Sequence, residues 1–213
     1  LDICGIDIMA TDLHTPVNEN GGAILEVNAA PGFRMHIDPS EGLPRNVAEP
    51  VVDMLFPKGT EGRIPIIAIT GTNGKTTTTR LTAHIAKSAG KKVGYTTSDG
   101  VYIQNHLMMK GDCTGPVSST FVLKDPTVDF AVLECARGGL LKAGLAFQNC
   151  NVSIVTNVTA DHLGLGGIDS LEQMARVKAV IPETTFNHGF AILNADDDLV
   201  YQMHKGLTCN VAY

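Results

Sequence analysis

The sequence predicts an α/β fold: a mainly parallel sheet with helices on both faces, preceded by the truncated end of a separate α+β domain. Three observations lead to this prediction. From Ile64 onward, short apolar runs alternate with stretches of helical periodicity, which is typical of strand–helix–strand units. The first of these runs, 66–70, passes through a Gly-rich loop directly into helix-forming sequence. Polar residues follow several of the apolar runs, at the sheet edge where ligands of such folds gather.

The segment before Ile64 has a different pattern. Residues 1–10 and 23–28 are apolar strand candidates, and the polar loop between them ends in Asn20-Gly21-Gly22, so they predict a hairpin. Residues 45–56 carry apolar side chains at near-helical spacing. We therefore predict one domain at 1–57, a linker at 58–63 and a second domain at 64–213.

In the second domain, the elements alternate along the chain. Buried strands that alternate with helices imply a parallel sheet covered on both faces. The predicted strands are 66–70, 92–96, 128–134, 152–156 and 189–193, and the predicted helices are 75–89, 117–124, 170–181 and about 197–204.

Composition limits the function classes. The 213 residues are 44% apolar and can bury a substantial core in one or two domains. A net charge of −6 without a long basic run argues against a nucleic-acid or anionic-membrane surface and favours small molecules or a peptide as partners. Five scattered cysteines without metal spacing predict reduced thiols in the cytoplasm. We find no stretch of about 18 apolar residues that predicts a membrane span, and no secretory signal.

The loop Gly71-Thr-Asn-Gly-Lys-Thr-Thr77 predicts a site for the phosphates of a nucleoside triphosphate. Backbone N–H groups at a strand-to-helix turn converge on anionic oxygens, and glycines let the phosphate approach. Lys75 would reach the β/γ-phosphates, and the Thr76 hydroxyl would bind the bridging Mg²⁺. Ile69 stands where the common signature has its first glycine, so the motif is a shorter variant. A plain turn before a Thr-rich helix is the alternative.

Two further positions in the second domain suggest metal chemistry. Glu134 ends an apolar strand, where a carboxylate beside a phosphate loop would give Mg²⁺ a hard oxygen ligand. Asp161 and His162 follow strand 152–156. The alternatives are an ordinary strand-end acid and a structural histidine.

The first domain carries a separate set of oxygen ligands. Glu26 and Asn28 are two apart on a strand, so their side chains share a face. Asp7 on the neighbouring strand would approach that face and complete a Mg²⁺ site. A surface hairpin with ordinary acids is the alternative.

These motifs, with Asn157, the helix containing Lys178 and Asn194-Ala-Asp-Asp197, resemble the central ATPase domain of Mur ligases and folylpolyglutamate synthases. Those enzymes activate a carboxylate as an acyl phosphate, which an amine then attacks. Residues 97–102, 111–116 and 134–145 more closely resemble the cyanophycin synthetase family. The likeness covers essentially all of 64–213.

The resemblance implies roles for the matching residues. Glu134 would share the first Mg²⁺ with Thr76, and His162 would hold the second. Thr97 or Ser98 would lie near the γ-phosphate, with Ser98 as the candidate metal ligand. The implied nucleotide-binding set is Gly71, Thr72, Asn73, Gly74, Lys75, Thr76, Thr77 and Asn157.

Two more roles follow from the resemblance alone. Lys178 matches a helix in which many relatives carry a carbamylated lysine that helps to position Mg²⁺, and a solvated helix lysine is the alternative. Thr114-Gly-Pro116 would face the acceptor chain, and a plain turn before a helix is the alternative. Together with Lys75, Glu134 and His162, Lys178 forms the predicted catalytic set.

The first domain resembles the end of an ATP-grasp domain, through Gly5-Ile-Asp7 and Glu26-Val-Asn-Ala-Ala-Pro-Gly32. The nucleotide clamp of such a domain would lie upstream, and the amino-acid-binding lobe of Mur-type enzymes would lie downstream. We therefore expect a fragment of a longer enzyme that is inactive alone.

The combined resemblance implies an ADP-forming ligase, homo-oligomeric at full length. It would use ATP and Mg²⁺ to polymerise aspartate and arginine onto a peptide primer, giving a poly-aspartate with arginine on each side chain. The alternatives are another Mur-type or ATP-grasp peptide ligase with different amino acids, and a non-catalytic ATP-binding module.

Overall fold

The computed structural model describes residues 3–60, 62–160, 164 and 167–213. The chain separates into two compact units, Leu1–Arg63 and Ile64–Tyr213. Among the described residues, no helix combines the length and the apolar character needed to cross a membrane.

The first unit contains an antiparallel hairpin and two helices. Strands β1 (Gly5–Met9) and β2 (Ala23–Asn28) pair as the sequence predicts, with Asp7 directly opposite Glu26. Helix α1 (Arg34–Ile37) is a single turn, and helix α2 (Ala48–Leu55) lies inside the predicted span 45–56. Ile and Val side chains of both strands are about half exposed, because the hairpin carries apolar residues on each of its faces.

The second unit is built on one eight-stranded sheet, in the order β10-β9-β8-β3-β7-β4-β5-β6. The six strands from β10 to β4 are parallel, and β5 and β6 form an antiparallel edge. The strands are β3 (Ile66–Thr70), β4 (Val93–Thr97), β5 (Gly100–Ile103), β6 (His106–Lys110), β7 (Phe130–Glu134), β8 (Cys150–Val155), β9 (Thr185–Leu193) and β10 (Asn210–Ala212).

Helices cover both faces of this sheet, which confirms the predicted fold class. Ala83 and Ala86 of α3 pack on Ile69 and Val132, whose strand neighbours Ala68 and Leu133 point to the opposite face, beneath α4 and α6. The helices are α3 (Lys75–Ser88), α4 (Pro116–Lys124), α5 (Arg137–Ala143), α6 (Leu171–Glu183) and α7 (Asp198–Gln202), followed by a 3₁₀ turn (Met203–Gly206).

Sequence reasoning missed four elements of the second unit: β5, β6, α5 and β10. The hairpin of β5 and β6 turns on Gln104 and Asn105, both with positive φ (47° and 74°), which is the geometry of a two-residue hairpin turn. A Gln-Asn pair lacks the glycine that usually marks such a turn. Strand β9 begins at Thr185 rather than 189, because its polar first half still pairs with Cys150.

The chain order places a crevice at β3. The chain runs from β3 through α3 to β4, leaving a gap that β7 later fills, and then continues on the other side of β3 with β8. Loops that follow β3, β7 and β4 therefore meet at the carboxyl edge of the sheet, where ligands of open α/β sheets bind.

Candidate nucleotide-phosphate site

The loop between β3 and α3 has a backbone that requires glycine. Gly71 has φ of 143° and Gly74 has φ of 84°, both in a region that other residues rarely adopt. A Cβ on Gly71 would also overlap Oγ1 of Thr156, the residue that directly follows β8. The loop can therefore lie close against the end of β8.

The end of β8 holds this loop in place. Asn157 accepts hydrogen bonds from the N–H groups of Thr72 and Asn73, through its backbone and side-chain oxygens at 2.9 and 2.8 Å. Thr156 Oγ1 donates to the Asn73 carbonyl at 2.7 Å. Asn157, predicted from the resemblance to bind nucleotide, thus braces the loop through its own hydrogen bonds.

Three of the predicted metal ligands lie together at the start of α3. Thr76 Oγ1 donates to Glu134 Oε2 at 2.8 Å and lies 3.0 Å from Ser98 Oγ. The Ser98 N–H donates to the same Glu134 oxygen at 3.3 Å. Two hydroxyls and a carboxylate form the hard oxygen set that Mg²⁺ prefers, so these residues fit that ion.

Glu134 is the most buried acid of the site, with 1% of its surface exposed. Its burial raises the pKa of the carboxyl group, and the hydrogen bond from Thr76 and the charge of Lys75 offset this only in part. The backbone N–H of Glu134 donates to Thr96 Oγ1 at 3.1 Å, which fixes the end of β7. A carboxylate removed from water and held in one orientation is ready to bind a cation.

Lys75 lines the same cavity as Glu134, and the volume of this cavity is about 440 Å³. Its Nζ donates to the Thr72 carbonyl at 2.8 Å, which folds the side chain back over the loop. The sequence prediction that one pocket holds both residues therefore agrees with the geometry.

Lys178 is buried beneath the loop. Its side chain is 3% exposed, and Nζ donates to the Gly71 carbonyl at 2.7 Å. The alternative of a solvated helix lysine is therefore wrong. The amino group instead supports the loop from the α6 side of the sheet.

The lining of the cavity also contains residues that sequence reasoning missed or assigned only by resemblance. Asp112 accepts hydrogen bonds from the N–H and the hydroxyl of Thr114, at 3.2 and 2.7 Å. Arg137, at the start of α5, lines the cavity beside them. The Arg-Gly-Gly sequence that begins three residues after Glu134, the last residue of β7, was the available signal for Arg137.

Several predictions are not tested by this geometry. Asp161, His162 and Leu163 lie outside the described residues. Asp7 and Glu26 face each other across the hairpin, but the described part of the chain holds no group of three His, Cys, Asp or Glu residues suited to a metal. The metal role of Asp7, Glu26 and Asn28 stays a prediction.

A protein-family model matches nearly all of the second unit. The model described as Mur ligase middle domain matches residues 69–212, which begin at the end of β3 and include the phosphate loop. The chain belongs to the Mur ligase middle-domain family. The predicted resemblance to Mur ligases is confirmed.

Relatives of this Mur ligase domain extend the likeness to the first unit. The cyanophycin synthetase of Geminocystis herdmanii is 61% identical over 213 residues, which are 100% of this chain and 24% of that protein. The cyanophycin synthetase of a Synechocystis strain is 62% identical over the same length. The chain thus spans about a quarter of the curated relatives that it matches.

A solved structure shows the same fold. A UDP-N-acetylmuramoyl-L-alanyl-D-glutamate–2,6-diaminopimelate ligase matches with a TM-score of 0.59 and 24% identity, over 76% of this chain and 34% of that chain. At this identity the likeness concerns the fold of the Mur ligase domain alone.

Proposed function

We propose that this chain contains the ATP-binding core of an ATP-dependent ligase that forms amide bonds. We further propose that the whole protein polymerises aspartate and arginine, as the resemblance to cyanophycin synthetases implies. One observation carries the proposal: Thr76, Glu134 and Ser98 converge at the start of α3, in the cavity that Lys75 also lines. A set of hard oxygens beside a lysine suits Mg²⁺ and the γ-phosphate of ATP.

The loop and Lys75 would bind the phosphates of ATP. The N–H groups at the start of α3 lie at the positive end of the helix dipole, which favours phosphate oxygens. Lys75 would leave the Thr72 carbonyl and contact the β/γ-phosphates as a point charge. Lys178 and Asn157 would keep the loop in shape through their bonds to Gly71, Thr72 and Asn73.

Thr76, Ser98 and Glu134 would hold Mg²⁺. When bound, this ion would supply charge neutralisation for the phosphates. Glu134 would meet it as a desolvated carboxylate, so the attraction is stronger than for an exposed acid. The second ion would involve His162, by resemblance.

The reaction would proceed in two steps. An oxygen of the acceptor carboxylate attacks the γ-phosphorus, and the bond to the β–γ bridging oxygen breaks and releases ADP. The amine of the incoming amino acid then attacks the acyl carbon, phosphate leaves with the bonding electron pair, and the amine loses a proton to solvent. Thr114 and Arg137 line the cavity where the acceptor carboxylate would lie. Positioning and electrostatics would supply most of the acceleration.

The first unit would belong to a second ligase site of the ATP-grasp type. Asp7, Glu26 and Asn28 would hold Mg²⁺ there, together with a nucleotide clamp from the rest of the protein. By the resemblance, this site would add aspartate to the backbone, and the Mur-type site would add arginine to its side chains.

The proposal is tested in the full-length protein by measuring ADP release with aspartate, arginine and a primer peptide. Lys75→Ala and Glu134→Gln should each lower arginine incorporation by ~100-fold or more, because each removes a charge from the site of phosphoryl transfer. Lys205→Ala and Glu183→Gln are matched controls at exposed positions of the same unit. Near-normal incorporation by the first pair would overturn the site assignment, and ATP binding without amino-acid-dependent turnover would favour the non-catalytic module.

A further inference from the structure

A second cavity, of about 490 Å³, lies beside the exposed face of α3. Arg80, His84 and Lys87 of this helix are spaced i, i+4 and i+7, so they form a row along one face. Lys91 extends the row beyond the helix end. The other wall is formed by Tyr95, Tyr102 and the turn at 104–105 of the outer strands. We call this cavity the cationic groove.

The groove concentrates positive charge in a chain that is acidic overall. The chain has a net charge of −6, yet within the described residues no Asp or Glu lines the groove. Lys87 and Lys91 are exposed, and in the described structure their side chains have no hydrogen bond or ion pair. Like charges placed side by side repel each other, so this row favours an anionic ligand.

The aromatic wall is rigid. The rings of Tyr95 and Tyr102 stack with centroids 4.7 Å apart, and the Arg80 guanidinium lies 5.9 Å from the Tyr102 ring centroid. Arg80 is also paired with Asp99, which accepts from the Tyr102 hydroxyl at 2.7 Å. Arg80 therefore anchors the wall, and the cations available to a ligand are Lys87 and Lys91.

We propose that the cationic groove binds an extended acidic peptide through its carboxylate side chains. Side chains on one edge of an extended peptide repeat at about 7 Å, so two successive carboxylates can meet Lys87 and Lys91, which are four positions apart in the chain. Phosphate sites use backbone N–H groups at helix starts, whereas the groove follows the second half of α3.

The Arg80 end of the groove is the end nearer to the phosphate site. Asp99 follows Ser98 in the chain, and Arg80 is about 7.5 Å along the helix axis from Lys75. A peptide in the groove would therefore run along the helix whose start holds the phosphates. That this peptide is the growing aspartate backbone rests on the proposed function. The binding of carboxylates by the groove does not depend on that function.

The test is the binding of fluorescein-labelled deca-aspartate to this chain at low salt, followed by anisotropy. Lys87→Gln with Lys91→Gln should weaken binding by about tenfold. The control Lys58→Gln with Lys205→Gln removes the same charge from exposed positions outside the groove and should stay within about a factor of two of the wild type. Asn105→Asp adds a negative charge at a turn position that tolerates aspartate and should also weaken binding.

The proposal is overturned if the wild-type chain does not bind deca-aspartate, or if both double variants lose affinity equally. Displacement of the probe by tripolyphosphate at a much lower concentration than by unlabelled deca-aspartate would identify a phosphate site instead. ATP affinity with Mg²⁺ is measured on the same samples and should be equal in all variants. If this chain binds deca-aspartate and the full-length protein binds no ATP, the proposed function is refuted and the groove is left in place.

Discussion

Thr76 Oγ1 donates a 2.8 Å hydrogen bond to Glu134 Oε2, although the two residues are 58 positions apart in the chain. The bond joins the first turn of α3 to the end of β7, and parallel pairing of β3 with β7 brings these two ends together. It therefore links the phosphate loop to the candidate metal ligand.

Glu134→Gln should make the free protein more stable while it removes activity. Burial raises the pKa of Glu134 above its ordinary value. As the pH rises, Glu134 ionises at a lower pH in the unfolded chain than in the folded protein. The ionised carboxylate therefore lowers the free energy of unfolding. This loss is absent at low pH and reaches its full size above the raised pKa. The amide can still accept the Thr76 hydrogen bond without this cost.

The measurement is the Tm of both proteins across pH 4 to 8 without Mg²⁺. The Tm of Glu134→Gln should exceed that of the wild type by ~2 °C or more at pH 8 and by less at pH 4. Glu183→Gln, at an exposed position, should show no such trend. A wild type that is more stable than Glu134→Gln at pH 8 would contradict the assigned direction.

Gly71→Ala should abolish ATP binding and destabilise the second unit. The new Cβ would overlap Thr156 Oγ1, and φ of 143° strains any other residue, which costs about 1–3 kcal/mol. Gly206→Ala is the control, because its Cβ would meet nothing within 4 Å and its φ is not positive. Calorimetry of ATP binding and urea unfolding report the two effects separately, and normal ATP affinity in Gly71→Ala would refute the loop assignment.

The phosphate loop, Glu134 and the parallel sheet could be predicted because each has a local signal. The loop has its glycines and Lys75, and the strands are apolar runs bounded by helical periodicity. The β5–β6 hairpin has no such signal, since a Gln-Asn turn and the exposed strand His106–Lys110 look like loop sequence. The cationic groove depends on α3 packing beside β4, which the sequence predicts, and on Tyr102 of β5 and the turn at 104–105, which sequence reasoning missed.

Cys135 should resist thiol reagents in the folded protein. Its side chain is buried, and burial raises the pKa of the thiol to about 12, so about one molecule in ten thousand is a thiolate at pH 8. Cys113 and Cys150 are also buried, whereas Cys4 is exposed. With Ellman's reagent, Cys4 should give the fast phase, and Cys4→Ser should remove it.

Denaturant should then expose the remaining thiols to the same reagent. All five cysteines should react at similar rates in the unfolded chain, because burial no longer suppresses the thiolate. A folded wild-type protein that titrates five thiols in one fast phase would show that the packing around β7 and β8 differs from this description.

Lys178→Ala should weaken ATP binding, because its Nζ is the buried donor to the Gly71 carbonyl at 2.7 Å. Two roles predict different behaviour of the wild type. A plain lysine supports the loop by this hydrogen bond, and turnover of the full-length protein is then independent of bicarbonate. A carbamylated lysine carries a carboxylate in place of the ammonium, so activity falls when dissolved CO₂ is removed and returns when bicarbonate is added.

Intact mass at mildly alkaline pH would show the added CO₂, and Lys205→Ala provides the matched control. Equal ATP affinity of Lys178→Ala and the wild type would show that neither role holds.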